Sequence, residues 1–205
     1  MNFLLVSSVT LGILHALAPD HWLPFVVMGR AQKWSRTRLT IITVMAGICH
    51  VTSSLVIASV GVLLGVAVEQ VELFESSRGN IASLLLIGFG VAYMVWGIKN
   101  WGKKHSHGIE QAKVLSYWTL FALVVFGPCE PLIPLVFAGY GLGWGAVIAV
   151  FVVFSLSTIL MMLLQVQLAS YGVSFLRSHW LEHGSDAIAG GVIAITGVAI
   201  RIFGI

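Results

Sequence analysis

Charge is what this sequence has least of. Asp, Glu, Lys and Arg make up 9% of its 205 residues, against roughly 25% in a soluble domain. With 58% hydrophobic residues and a mean hydropathy of +0.98, that deficit excludes an ordinary water-soluble domain and points to an integral membrane protein. Cysteine is also scarce. Cys49 and Cys129 both fall inside apolar runs, which excludes a disulfide framework of the secreted type. No G-x-x-x-x-G-K-[ST] run is present, so ATP is not bound through a phosphate loop. Neither an H-E-x-x-H pattern nor a Ser-His-Asp arrangement suggests hydrolysis, and the chain does not read as an enzyme. The net charge of +3 sits in short segments that form no basic stripe, so nucleic acid is not an expected partner.

What is present is a series of apolar runs. A helical span needs about 20 mostly apolar residues, and six candidates stand out: about Phe3 to Met28, Ile41 to Val68, Ile81 to Trp101, Val114 to Ala138, Gly145 to Ala169 and Ala187 to Phe203. The expectation is an all-α polytopic fold, with residues 1–205 as one transmembrane domain. The first run lacks the basic start and small-residue cleavage site of a signal peptide, so it is expected to be retained. Arg30, Lys33, Arg36 and Arg38 mark the first connection and Lys99, Lys103, Lys104 and Lys113 the third, whereas Glu69, Glu72 and Glu75 mark the second. Basic connections favour the cytoplasm. Both termini are therefore expected on the outer side of a plasma (inner) membrane.

Six spans divide into two halves of three, about 1–102 and 113–205. Laid over each other, PDHWLP (Pro19 to Pro24) falls on CEPLIP (Cys129 to Pro134), with Asp20 over Glu130 and Pro24 over Pro134. An odd number of spans per half makes the halves antiparallel. The expectation is therefore two inverted three-helix repeats with broken helices 1 and 4, the arrangement that sets transporter binding sites near the midplane. The second and fifth spans carry polar stripes at helical spacing: Thr43, Gly47, His50, Ser53 and Ser54 on one, Ser155, Thr158, Met162 and Gln165 on the other. Gly88, Gly97, Gly190 and Gly197 are expected to be close-packing points in the third and sixth.

The chemistry concentrates at the first break. On an ideal helix Asp20 and His21 would lie about 140° and 240° from His15, so the three would share no face. Pro19 has no N–H and its ring clashes with the preceding turn, which predicts a kink that brings them together. A carboxylate at mid-span costs about 2.5–3.5 kcal/mol even on a lenient scale, so Asp20 and Glu130 are expected to be functional. Two imidazoles and a carboxylate suit a borderline divalent ion better than Mg or Ca. His50 and Glu130 are further candidate ligands, and Cys129 a lesser one because adjacent helical residues point apart. His105 and His107 in KKHSHG read as a solvated turn, His179 and His183 as one face of an interfacial helix, and Met161 and Met162 as packing.

His15, four residues, then Asp20-His21 form an H-x4-D-H motif that resembles the signature of secondary nickel/cobalt transporters. HALAPDH is similar to its form in the nickel/cobalt-efflux and urease-accessory-type permeases, related more distantly to the LysE-like transporter superfamily. The resemblance implies His15, Asp20 and His21 as metal ligands or selectivity determinants. It further implies a transition-metal ion as cargo, Ni or Co first with Fe and Zn open, and no resident cofactor. No D-T-x-T-E-like second motif and no long His-rich loop accompany it. FGPCEPLIP also resembles the Pro-Cys-Pro stretch of membrane thiol-disulfide conduits in cytochrome c biogenesis, which implies electron transfer through Cys49 and Cys129 as the alternative. A sulfite-type anion exporter ranks third, because no intramembrane Lys or Arg is expected to face the site. Lipid is an expected partner, and homo-oligomers are an open option.

Overall fold

The computed structural model describes residues 1–100, 121–122, 127–175 and 184–203, and among these all regular structure is helical. In chain order they form α1 (Asn2–Ala16), a 3-10 turn (Pro19–His21), α2 (Leu23–Ala31), α3 (Arg36–Leu63), α4 (Val68–Lys99), α5 (Leu132–Tyr140), α6 (Trp144–Phe175) and α7 (Ser185–Phe203). Helices α3, α4, α6 and α7 are long and apolar enough to cross a membrane; α1 with the turn and α2 makes a fifth apolar unit, bent by 76°. Their outward faces carry large exposed apolar side chains such as Phe3, Ile41, Ile48, Leu85, Ile148, Leu160, Leu164 and Ile195. A helix satisfies its own backbone bonds and needs only such a surface against lipid. The protein is an all-helical, multi-pass membrane protein.

Four or five crossings are thus present among the described residues, in place of the six expected. Of the fourth expected span, Val114 to Ala138, residues 114–120 and 123–126 lie outside them. Its described end is interrupted: Gly127 to Cys129 is non-helical, and α5 has 9 residues, about 14 Å of helix and half a hydrocarbon thickness.

The first break follows from Pro19, as its chemistry predicts. α1 stops at Ala16, and the carbonyls that a continued helix would have used are taken up locally. His15 O accepts from Ala18 N–H (3.2 Å), Ala18 O from His21 N–H (3.2 Å) and Leu17 O from the Trp22 indole (3.3 Å). Pro24 then sits in the first turn of α2, where a missing N–H costs nothing. α2 and α5 share a pattern. Each follows a Pro-containing break, has 9 residues, and leads into a long helix through a turn with one positive φ, Lys33 at 53° and Gly143 at 100°.

The third long helix differs from its expected extent. α4 begins at Val68, so Glu69, Glu72 and Glu75 do not form a connection; they ride on the helix, and Val71 and Glu75 are buried. The helix starts before the apolar run does because Val71 and Glu75, four apart, face inward while Glu69 is exposed and Glu72 is only partly buried. Only Leu64 to Ala67 links α3 to α4.

α4 packs along α7 over most of its length, α1 and α3 pack on α6, and α2 lies on α7. The α4–α7 contact is one of backbone on backbone. A Cβ added at Gly90 would fall on Ala194, at Gly97 on Ala187 and at Gly190 on Met94; at Gly197 it would stand 2.9 Å from Ser83 O. Gly97, Gly190 and Gly197 are close-packing points, but Gly88 has open space around it. Gly90, two residues along and so on the other side of the helix, takes the role expected of Gly88.

Two apolar clusters fill the interior. One joins Ala16, Phe25, Met28, Ala46, Met162 and Ile193; the other joins Val51, Cys129, Leu132, Ile133, Val150 and Phe154. Overpacking a tight contact costs about 1–3 kcal/mol. Gly97→Val and Gly190→Val should each lower the thermal unfolding midpoint of the detergent-purified protein by several degrees, while Gly88→Val leaves it unchanged. Equal shifts for all three would contradict the packing described.

Candidate metal centre

Three imidazoles meet where the two clusters adjoin. His15 lies in the last turn of α1, His21 ends the 3-10 turn, and His50 is on the inner face of α3. Their Nε2 atoms are mutually close: His15 to His21 3.0 Å, His15 to His50 3.3 Å and His21 to His50 3.3 Å. The His21 ring stands steeply to the other two, at 72° and 85°, so the three converge edge-first on one point. On a tetrahedral ion with metal–nitrogen bonds of 2.0–2.1 Å, neighbouring nitrogens are about 3.3–3.4 Å apart. The triangle has nearly the size of one face of that tetrahedron.

Each corner is held by local structure. Gly12 brings α1 against α6: its carbonyl accepts from Thr158 Oγ1 (3.3 Å), and a Cβ there would stand 2.9 Å from Phe154 O. His15, three residues further on, is fixed over Phe154 by that contact. His50 belongs to the expected polar stripe, of which Thr43, Gly47 and Ser54 are also buried. On α6 Ser155 and Thr158 are buried as well, and Met162 is core with Met161 packed against it.

Asp20 is not among the converging atoms. Its Oδ1 accepts from His21 Nδ1 at 2.9 Å. Because a carboxylate can only accept, Nδ1 carries a proton, and in the neutral ring the Nε2 lone pair of His21 points into the triangle. This is the arrangement of a carboxylate behind a metal-binding imidazole, which fixes tautomer and ring orientation.

Cys129 is closer to the triangle than sequence spacing suggests. It is fully buried, and its Sγ lies within 4.8 Å of ring nitrogens of His15 and His50. Cys49, also a free thiol, is not in that group. Glu130 is not among the converging groups: it lines a cavity of about 410 Å³ that the three histidines and Asp20 share with Ser76, Asn80, Ser83 and Arg201. Arg201 also donates to Asn80 Oδ1 (3.2 Å). A guanidinium therefore does face the cavity, contrary to expectation. His105, His107, His179 and His183 lie outside the described residues.

Sequence reasoning missed one pair. Glu75 has no exposed side chain and is ion-paired with Arg78, one turn along α4. Glu75 Oε2 accepts from Ser54 Oγ (3.2 Å) and from the backbone N–H of Cys129 (3.1 Å), while Arg78 donates to Ser53 Oγ (3.3 Å) and Gly127 O (3.3 Å). The pair ties α3, α4 and the second break together. An available signal was Glu and Arg three apart beside an apolar run, facing a Ser-Ser step on the preceding span.

Removing one member of a buried ion pair costs about 3–5 kcal/mol, because the other charge is left uncompensated. Glu75→Ala should therefore unfold at clearly lower temperature in detergent, and Glu75→Leu with Arg78→Met should recover part of the loss, the rest being the Cys129 N–H and Gly127 carbonyl left without partners. A double variant no better than the single would show that the pair is not the source. Set against protein-family models, curated proteins and solved structures, the chain matches none of them.

Proposed function

We propose that this protein is a secondary transporter of a divalent transition-metal cation, Ni or Co first, with Fe and Zn open. The observation that carries the reading is the mutual approach of three imidazole Nε2 atoms to 3.0–3.3 Å with a carboxylate behind one of them, at a helix break on a cavity wall. Polar groups of this kind are costly in hydrocarbon and concentrate on ion pathways. Imidazole nitrogens favour borderline first-row ions over Mg and Ca.

In this reading His15, His21 and His50 hold the ion. Asp20 orients His21 and offsets cation charge, which refines its expected part as a ligand. Glu130 faces the cavity and serves as an outlying acid on the path to the site. The shared pattern of break, nine-residue helix, turn and long helix supports two repeats with broken first members. Rocking one against the other would alternate access to the site. Six crossings with both termini outside a plasma membrane complete the proposal.

The thiol-disulfide alternative has less behind it, since Cys129 faces imidazole nitrogens and not Cys49. Anion export gains a guanidinium at the cavity in Arg201, but Asp20 and Glu130 share that cavity and oppose an anion.

The test is metal-dependent flux into liposomes holding the purified protein. His15→Ala, His21→Ala and His50→Ala should each abolish flux. Asp20→Asn should weaken metal binding about 10–100-fold, the usual effect of losing an outer partner of a histidine ligand. Wild-type rates in the three histidine variants would end the assignment. Reporter fusions should place both termini outside; a cytoplasmic reading of either would overturn the topology.

A further inference from the structure

Three imidazoles occupy three corners of a tetrahedron, and a divalent ion there needs a fourth donor. A further donor is the thiol of Cys129, within 4.8 Å of ring nitrogens of two of the three histidines. On a tetrahedral ion a thiolate and an imidazole nitrogen are about 3.5 Å apart, given bonds of about 2.3 and 2.0–2.1 Å. The sulfur therefore has to advance by up to roughly 1.3 Å toward His15 and His50, and farther toward His21, which lies outside that 4.8 Å group, by rotation of the Cys129 side chain.

The backbone that carries this thiol is held from both sides. The Cys129 N–H is bound by Glu75, and the Gly127 carbonyl by Arg78. A Cβ on Gly79 of α4 would stand 2.9 Å from the Pro128 ring, so that proline is fixed as well. These bonds satisfy the backbone freed by the break, and with it they hold the thiol at a fixed place beside the triangle.

We propose that Cys129 is the fourth ligand of the site, making it His3Cys, and that its sulfur sets which cations the protein takes. The inference rests on the metal-transport reading above and narrows its substrate class. Thiolate donors favour Co, Ni and Zn over Mn, Mg and Ca, which prefer oxygen. On binding, the S–H bond breaks, its proton is released to solvent, and an S–metal bond forms. No electron changes hands.

The probe is Co(II), added to the full-length protein in detergent and followed by absorption. Wild type should show a near-ultraviolet thiolate-to-cobalt charge-transfer band together with the intense visible bands of a four-coordinate ion. Cys129→Ser should lose the charge-transfer band, keep visible bands from the three imidazoles, and bind Co(II) at least roughly tenfold more weakly. Cys49→Ser should match wild type. Tight Co(II) binding by wild type without the charge-transfer band overturns the thiolate ligand and leaves the three-histidine reading intact. A charge-transfer band that persists in Cys129→Ser also overturns it. No Co(II) binding by wild type overturns the three-histidine reading itself. The wild-type spectrum alone decides the matter if Cys129→Ser fails to fold.

Discussion

A peptide group that loses its helical partner inside hydrocarbon has no water to turn to, and the protein is built around two places where this happens. At the first, short-range bonds absorb the loss within the turn itself: Ala18 N–H, His21 N–H and the Trp22 indole take up the free carbonyls. At the second, the partners come from elsewhere in the chain. Glu75 binds the amide of Cys129 across a separation of 54 residues, and Arg78 the carbonyl of Gly127 across 49. The imidazole triangle depends on the first break, and the approach of Cys129 to it depends on the second.

How much of this was legible in the sequence depended on whether a feature was local. Pro19 announces its break because the missing N–H acts on its own turn. His15, Asp20, His21 and His50 stand out because polar groups are rare and costly in such runs, and the structure brings all three histidines together. What Asp20 does was not legible. Whether a carboxylate faces an ion or a neighbouring imidazole turns on a bend of 76° that spacing does not fix. Cys129 and Glu130 illustrate the same limit: in a non-helical stretch, the rule that adjacent side chains diverge says nothing about which one turns inward. Gly88 and Gly90 differ only in which side of α4 each presents to α7, and no local signal separates them. The six-span count relied on residues outside those described, and α4 extended past its apolar run because a buried ion pair let charged residues join it.

The arrangement also separates chemistry from support. Imidazole nitrogens present lone pairs to one point, while the carboxylates are set one step back: Asp20 holds a ring, and Glu75 holds a backbone amide. Negative charge placed behind neutral donors strengthens them without occupying a coordination position.

The contact of α4 with α7 has a further consequence. Where two helices touch through glycine backbone, no side chains lie between them whose rotamers can change to allow small adjustments. The pair must shift as a single stave or come apart altogether. Asn80 and Ser83 from α4 and Arg201 from α7 therefore form a wall of fixed shape on one side of the cavity. The histidines of α1, the bent turn and α3 line the same cavity, and α3 meets α4 at Glu75 and Arg78 as well as through the Leu64 to Ala67 link. That ion pair lies wholly on α4 and reaches out to Ser53 and Ser54 of α3 and to the backbone of Gly127 and Cys129, so a change in the width of the cavity loads those hydrogen bonds and leaves the pair itself intact.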